Sequence, residues 1–128
     1  MSDWQCKQCV ARSKGFSSNR PVGDKGRLFN KYMKSALKRG IDWNLSIEQM
    51  FANYKGYCAL TGWEISIDWT CQTASLDRID SSKGYTQDNV QWVHSMVNMC
   101  KNKYDQDDFL RMCMAITINV SKIAEAIE

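Results

Sequence analysis

The segment SLDRIDSSKGYTQDNVQWVHSMVNMCKNK, residues 75–103, gathers carboxylates, amides, basic side chains and the only histidine of the chain. Asp77 lies near the end of a run that reads as a strand. Asn98 lies one turn into a run that reads as a helix. If the strands fold onto that helix, the two side chains can converge on one point from opposite sides. One carboxylate and one amide oxygen make a hard, oxygen-only and incompletely filled cation site. Such a site suits Mg²⁺ or Mn²⁺, with water and phosphate oxygens completing the shell. An open coordination position is a catalytic arrangement, because the metal polarises a phosphoryl oxygen and stabilises a leaving oxygen. Arg78, Lys101 and Lys103 lie beside it, and a guanidinium can clamp phosphate in bidentate fashion.

The elements that must position these groups follow from pattern. ASLDRI (74–79) and VQWVH (90–94) read as short strands joined by the turn-rich loop DSSKGYTQDN. SMVNMCKNK reads as a helix in which Val97 and Cys100 can face a core. Upstream, RLFNKYMKSALKR (27–39) places Leu28, Tyr32, Met33, Ala36 and Leu37 on one face and is stopped by Gly40. Ser46 and Gln49 stand at capping-box spacing, predicting a second helix to about Tyr54. YCALTGWEISIDW reads as an irregular hairpin turning at Thr61-Gly62. The closing segment QDDFLRMCMAITINVSKIAEAIE is a helix whose stripe Phe109, Met112, Cys113, Ile116, Val120, Ile123 and Ile127 is expected to be core. Tyr85, at the tip of the loop, is in reach of a sugar-phosphate backbone.

The run LDRIDSSKGYT-DNVQWV, followed by Asn98 and Lys101, resembles the HNH (ββα-metal) endonuclease family. It looks especially like a subgroup common in phage and prophage genomes, and the similarity spans about Tyr57 to Phe109. The resemblance implies that Asp77 and Asn98 are metal ligands and that Asn89 fixes the loop by side-chain hydrogen bonds. It implies DNA as partner. One departure matters: the family's general base is a histidine directly after the first aspartate, and here that residue is Arg78. Arginine does not give up its proton near neutrality. Three readings stay open. His94 serves as base from the second strand; or activated water suffices, with Arg78 as electrostatic clamp; or catalysis is lost and nucleic-acid binding remains. Asp80 is a weaker candidate whose ordinary role is to cap the Ser81-Ser82 turn.

Many HNH proteins carry a zinc knuckle of two CxxC pairs. Here Cys58 and His94 fall at knuckle positions while Thr61 and Val97 replace their mates. Cys6 and Cys9 form a genuine CxxC near the start. Cys6, Cys9, Cys58 and His94 would make a complete tetrahedral Cys₃His zinc site, and would withdraw His94 from catalysis. Otherwise Cys58, Cys71, Cys100 and Cys113 are small buried hydrophobes.

Charge is unevenly placed. Residues 1–45 hold ten Lys and Arg against three acids, and residues 46–128 hold seven against eleven, which together give the net +3. A basic arm on an acidic body suits a protein holding a polyanion with one part and a cation with another. Lys31, Lys34 and Lys38 are candidate phosphate contacts. The first residues lack the apolar run of a signal peptide and no stretch approaches membrane-spanning length, so the cytosol, of a host cell if phage-encoded, is expected. There the cysteines are reduced or metal-bound.

The expectation is an α+β fold: a largely irregular basic arm (1–26), then one HNH-like domain (27–128). That domain would hold two helices, a ββα centre at about 74–103 and a long closing helix. The expected function is metal-dependent hydrolysis of DNA. The alternatives are a non-catalytic nucleic-acid-binding or inhibitory protein, and a zinc-stabilised interaction module. The sequence is silent on substrate form and oligomeric state.

Overall fold

The structure, a computed structural model, describes residues 23–127. Cys6, Cys9 and most of the basic arm lie outside them. Among the described residues the fold is α+β: two helices, a two-stranded antiparallel sheet, then two further helices. Among the described residues no helix is long and apolar enough to cross a membrane.

Helix α1 spans Asp24–Lys38, three residues earlier than its apolar spacing suggests. It ends in a Schellman pair: Gly40 N–H bonds to Leu37 O at 3.2 Å and Ile41 N–H to Ala36 O at 2.9 Å. Gly40 supplies the left-handed backbone this turn requires, with φ 69°. Leu28 and Ala36 are fully buried, whereas Leu37, expected on the same face, is 64% exposed. Helix α2 covers Ile47–Phe51 and starts with the full Ser46–Gln49 capping box. It is shorter than predicted, although Tyr54 N–H still bonds back to Phe51 O. The irregular hairpin follows as one bridge between Tyr57 and Glu64, with Gly62 in left-handed conformation.

Strands β1 (Ala74–Arg78) and β2 (Val90–His94) pair antiparallel, with Leu76 opposite Trp92 and Asp77 opposite Gln91. Side chains alternate across a strand, so Leu76 and Trp92 share one face and Asp77 and Gln91 the other. Trp92 organises the core. It stacks on Phe51 at 5.0 Å and meets Tyr54 and Tyr32 edge-on. Its indole N–H donates to Met50 O at 2.9 Å, which satisfies the polar atom that its burial would otherwise strand.

Helix α3 (Ser95–Lys101) leaves β2 without a linker, and α4 (Gln106–Ile127) closes the chain. Two expectations fail here. On α3 Val97 is buried, but Cys100 is exposed. On α4 only Phe109 is buried and Cys113 partly so. Met112, Ile116, Val120, Ile123 and Ile127 are each at least half exposed, so the stripe expected to be core is surface. The helical period places them on one side, but nothing among the described residues covers that side.

Candidate active site

Asp77 is 5% exposed, and its Oδ2 accepts two hydrogen bonds, from Lys101 Nζ at 2.6 Å and Gln91 Nε2 at 2.9 Å. Lys101, read from sequence as a phosphate contact, is turned inward and 1% exposed. Its ammonium also donates to the Arg78 carbonyl at 2.8 Å. A buried ammonium is tolerated only when a counter-charge and hydrogen bonds replace its water, and Asp77 with the β1 carbonyls supplies both. The turn inward had a sequence signal: Lys101 is four residues after the buried Val97, hence on the same helix face.

Asn98 lies mid-helix on α3, its amide nitrogen held by Ser75 Oγ at 2.6 Å. Asp77 and Asn98 line one cleft of about 660 Å³. No hydrogen bond from a described residue reaches Asp77 Oδ1 or Asn98 Oδ1. Two hard oxygens left open beside a cleft fit a divalent cation that keeps waters or phosphate oxygens for its other positions. Among the described residues, no group of three His, Cys, Asp or Glu side chains could hold a metal ion.

The loop between the strands is rigidly built. Asn89 Oδ1 accepts Asp80 N–H, and its Nδ2 donates to Asp80 O and Gly84 O. Asp80 caps the turn by accepting the Ser82 N–H and hydroxyl, which hold its carboxyl below the usual range. Tyr85 N–H bonds to Asp42 O at 2.8 Å, and Asn44 N–H to Tyr85 O at 2.9 Å. A Cβ on Gly84 would lie 2.7 Å from Asp42 O, so only glycine admits this approach. Tyr85 is therefore buried, not presented at a loop tip.

Arg78 directs Nη1 to Ser81 O and Lys83 O, both at 2.8 Å, with its guanidinium over the Tyr85 ring. Arg39 reaches the Tyr85 hydroxyl from α1 at 3.1 Å. Lys31, Ser35 and Arg39, spaced four apart and so on one helix face, form one wall of the cleft. Lys103 lines it from beyond α3. Lys34 and Lys38, expected beside Lys31, do not line it. Sequence reasoning missed Ser35 and Arg39; their spacing from Lys31 was the available signal. Among the described residues Asp77 is the only acid lining the cleft and is already paired, so the rim of Lys31, Arg39, Arg78 and Lys103 is net positive.

His94 stands elsewhere. It is 1% exposed, opposite Ala74 at the far end of the sheet. Strand parity puts it on the face of Trp92, not that of Asp77, and about 10 Å along the strand from Gln91. Its Nδ1 accepts the Met96 N–H at 3.0 Å, capping α3, and Trp63 meets its ring edge-on. Burial lowers its pKa, because desolvation disfavours the charged ring. A histidine enclosed on the opposite face does not reach a water at Asp77, so the reading of His94 as general base is withdrawn. His94 does adjoin Cys58: burial raises the Cys58 thiol pKa, but hydrogen bonds from Thr61, the His94 backbone and Leu60 outweigh it and lower the pKa. The other two members of the zinc set, Cys6 and Cys9, lie outside the described residues.

No family model matches the chain, and no curated protein sequence matches it. Among solved structures, the rare-cutting HNH restriction endonuclease PacI is similar, with a TM-score of 0.58 and 16% identity. The match covers 90% of this chain and 94% of that one. The α+β fold of this chain is thus shared with an HNH endonuclease.

Proposed function

We propose that this protein is a metal-dependent endonuclease of HNH type that hydrolyses DNA phosphodiester bonds. The observation that carries the proposal is the cleft itself: Asp77 and Asn98 present open oxygens between basic walls from α1 and the strand loop. The likeness to an HNH restriction endonuclease supports the same reading. A divalent cation, Mg²⁺ or Mn²⁺, held between Asp77 and Asn98 would supply a Lewis acid for the phosphoryl oxygen and acidify a water. Lys31, Arg39 and Lys103 bind flanking phosphates, and Arg78, held by the loop carbonyls, presents its remaining donors to the reacting one. Lys101 fixes the orientation of the Asp77 carboxylate through the Nζ–Oδ2 contact. With Arg78 in the place of a base and His94 turned away, no side chain in the cleft is suited to take the proton. A water acidified by a cation held at Asp77 and Asn98 would have to give its proton to a substrate phosphate oxygen or to solvent, which implies a slow enzyme.

One observation favours a second reading. The Lys101 ammonium already gives Asp77 a counter-charge, so the carboxylate does not depend on a cation for one, and the cleft could bind nucleic acid without cutting it. Nicking of supercoiled plasmid with Mg²⁺, Mn²⁺ or EDTA decides between them, using Asn98→Ala as the site variant. Cation-dependent nicking that vanishes in Asn98→Ala supports the enzyme. A retained gel shift with no nicking in either metal would move the assignment to a binding protein.

A further inference from the structure

Helix α4 is long and apolar; Phe109 and, in part, Cys113 pack on the chain's own core, and from Ile116 onward the apolar positions are uncovered. Its positions Phe109, Cys113, Ile116, Val120, Ile123 and Ile127 follow one another at alternating spacings of four and three. That is the a/d pattern of a coiled-coil seam carried over the whole helix. The flanking positions beside the seam, Thr117, Asn119, Ala124 and Ala126, are small or uncharged, so another helix can approach closely without meeting like charge. The run Ile116–Val120 is rich in β-branched residues, which are weak helix formers in isolation. Such a segment holds helical form when a packing partner covers it.

We propose that α4 is a self-association surface, covered by α4 of a second copy of this chain in an antiparallel, twofold-symmetric pair. Antiparallel seams alternate a against d′, and this sequence does so at every layer in one register. Ile116 faces Val120 of the second copy in the central layers, and its Ile123 and Ile127 lie beside Cys113 and Phe109, which their own core already partly covers. The structure supplies a receptor for the first layer. Cys100, Tyr104, Phe109 and Met112, with Asp108 beside them, line a mostly apolar cleft of about 310 Å³ at the start of α4. The Ile127 side chain of the second copy, 79% exposed in the single chain, enters it. Area is in keeping: at on the order of 100 Å² per half-exposed large side chain, each copy presents roughly 500 Å², and two approach the roughly 1,200 Å² at which specific interfaces begin. The seam lies outside the residues that line the Asp77 cleft, so the inference does not depend on the proposed activity.

The test is sedimentation velocity of the full chain across micromolar concentrations. The wild type is expected at twice the chain mass, and Ile116→Lys and Val120→Glu, each placing an unpaired charge in the central layer, at the chain mass. Met114→Lys, on the outer side of the same helix, is expected to remain at twice the chain mass. Mixing the Ile116→Lys and Val120→Glu proteins should restore the larger species, because antiparallel pairing sets the new charges opposite one another. A wild type that stays at the chain mass overturns the proposal and leaves the face to residues 1–22 or to a different protein. A larger species that survives Ile116→Lys, or one that mixing fails to restore, overturns this seam and register.

Discussion

The Lys101 ammonium sits 2.6 Å from Asp77 Oδ2, with both side chains almost wholly enclosed. A cationic side chain thus holds the carboxylate at the centre of the candidate site. This changes how the site must be tested. Removing one member of a buried pair strands the other, at a cost of about 3–5 kcal/mol. Asp77→Ala and Lys101→Met are each expected to lower stability by that order in urea melts. A double-mutant cycle should return a coupling energy of more than about 1 kcal/mol. Independent, additive losses would show that the pair is not coupled.

Asn98→Ala is the cleaner probe of chemistry. It removes an open oxygen from the cleft and one hydrogen bond to Ser75, so stability should fall by only about 1 kcal/mol. Plasmid nicking should be abolished in this protein while its melting remains cooperative. Unchanged nicking would remove Asn98 from the site.

The phosphate contacts can be sorted by salt. Lys31→Ala, Arg39→Ala and Lys103→Ala should each reduce the slope of log K against log salt by about 0.9 on duplex DNA. Lys34→Ala and Lys38→Ala, away from the cleft, should leave that slope close to the wild-type value. A uniform loss over all five would mean that charge, not the cleft, governs binding.

His94 gives a pH signature of folding rather than of catalysis. Its pKa is lowered in the folded protein by burial, so the unfolded chain binds the proton more readily. Stability from this residue is therefore full above the unfolded value of about 6.5 and declines as pH falls below it. The carboxyls of Asp68, Asp80 and Asp88 are also lowered, by hydrogen bonds from neighbouring Thr and Ser groups and, for Asp88, its own backbone. Their contribution is lost only below about pH 4, which separates the two windows. In His94→Asn, which keeps a capping acceptor, the decline beginning near pH 6.5 should disappear, and the pH profile of nicking should not change. A shifted nicking profile would return His94 to the chemistry.

What could be read from the sequence was whatever local chemistry decides. The Ser46–Gln49 box, the stop at Gly40 and the limits of β2 each rest on a few adjacent residues, and the structure has them where the pattern put them. The face of His94 was not readable, because a ten-residue loop leaves the strand register open and one step of register reverses every side chain. The exposure of α4 was hidden for a different reason. Periodicity says which residues share a side, but not whether anything lies against it.

In kinetic terms, the two halves of the cleft belong to different stages of folding. Asn89 closes its loop over 9 residues, and Lys101 meets Asp77 over 24. The basic wall depends on longer closures: Tyr32 reaches Leu76 over 44 residues and Arg39 reaches Tyr85 over 46. Short loops close at lower entropic cost, so the carboxylate–amide centre is expected to assemble before α1 docks. During refolding the chain would pass through a form that has the chemical centre without the grip on its polyanion, and affinity would be the last property acquired.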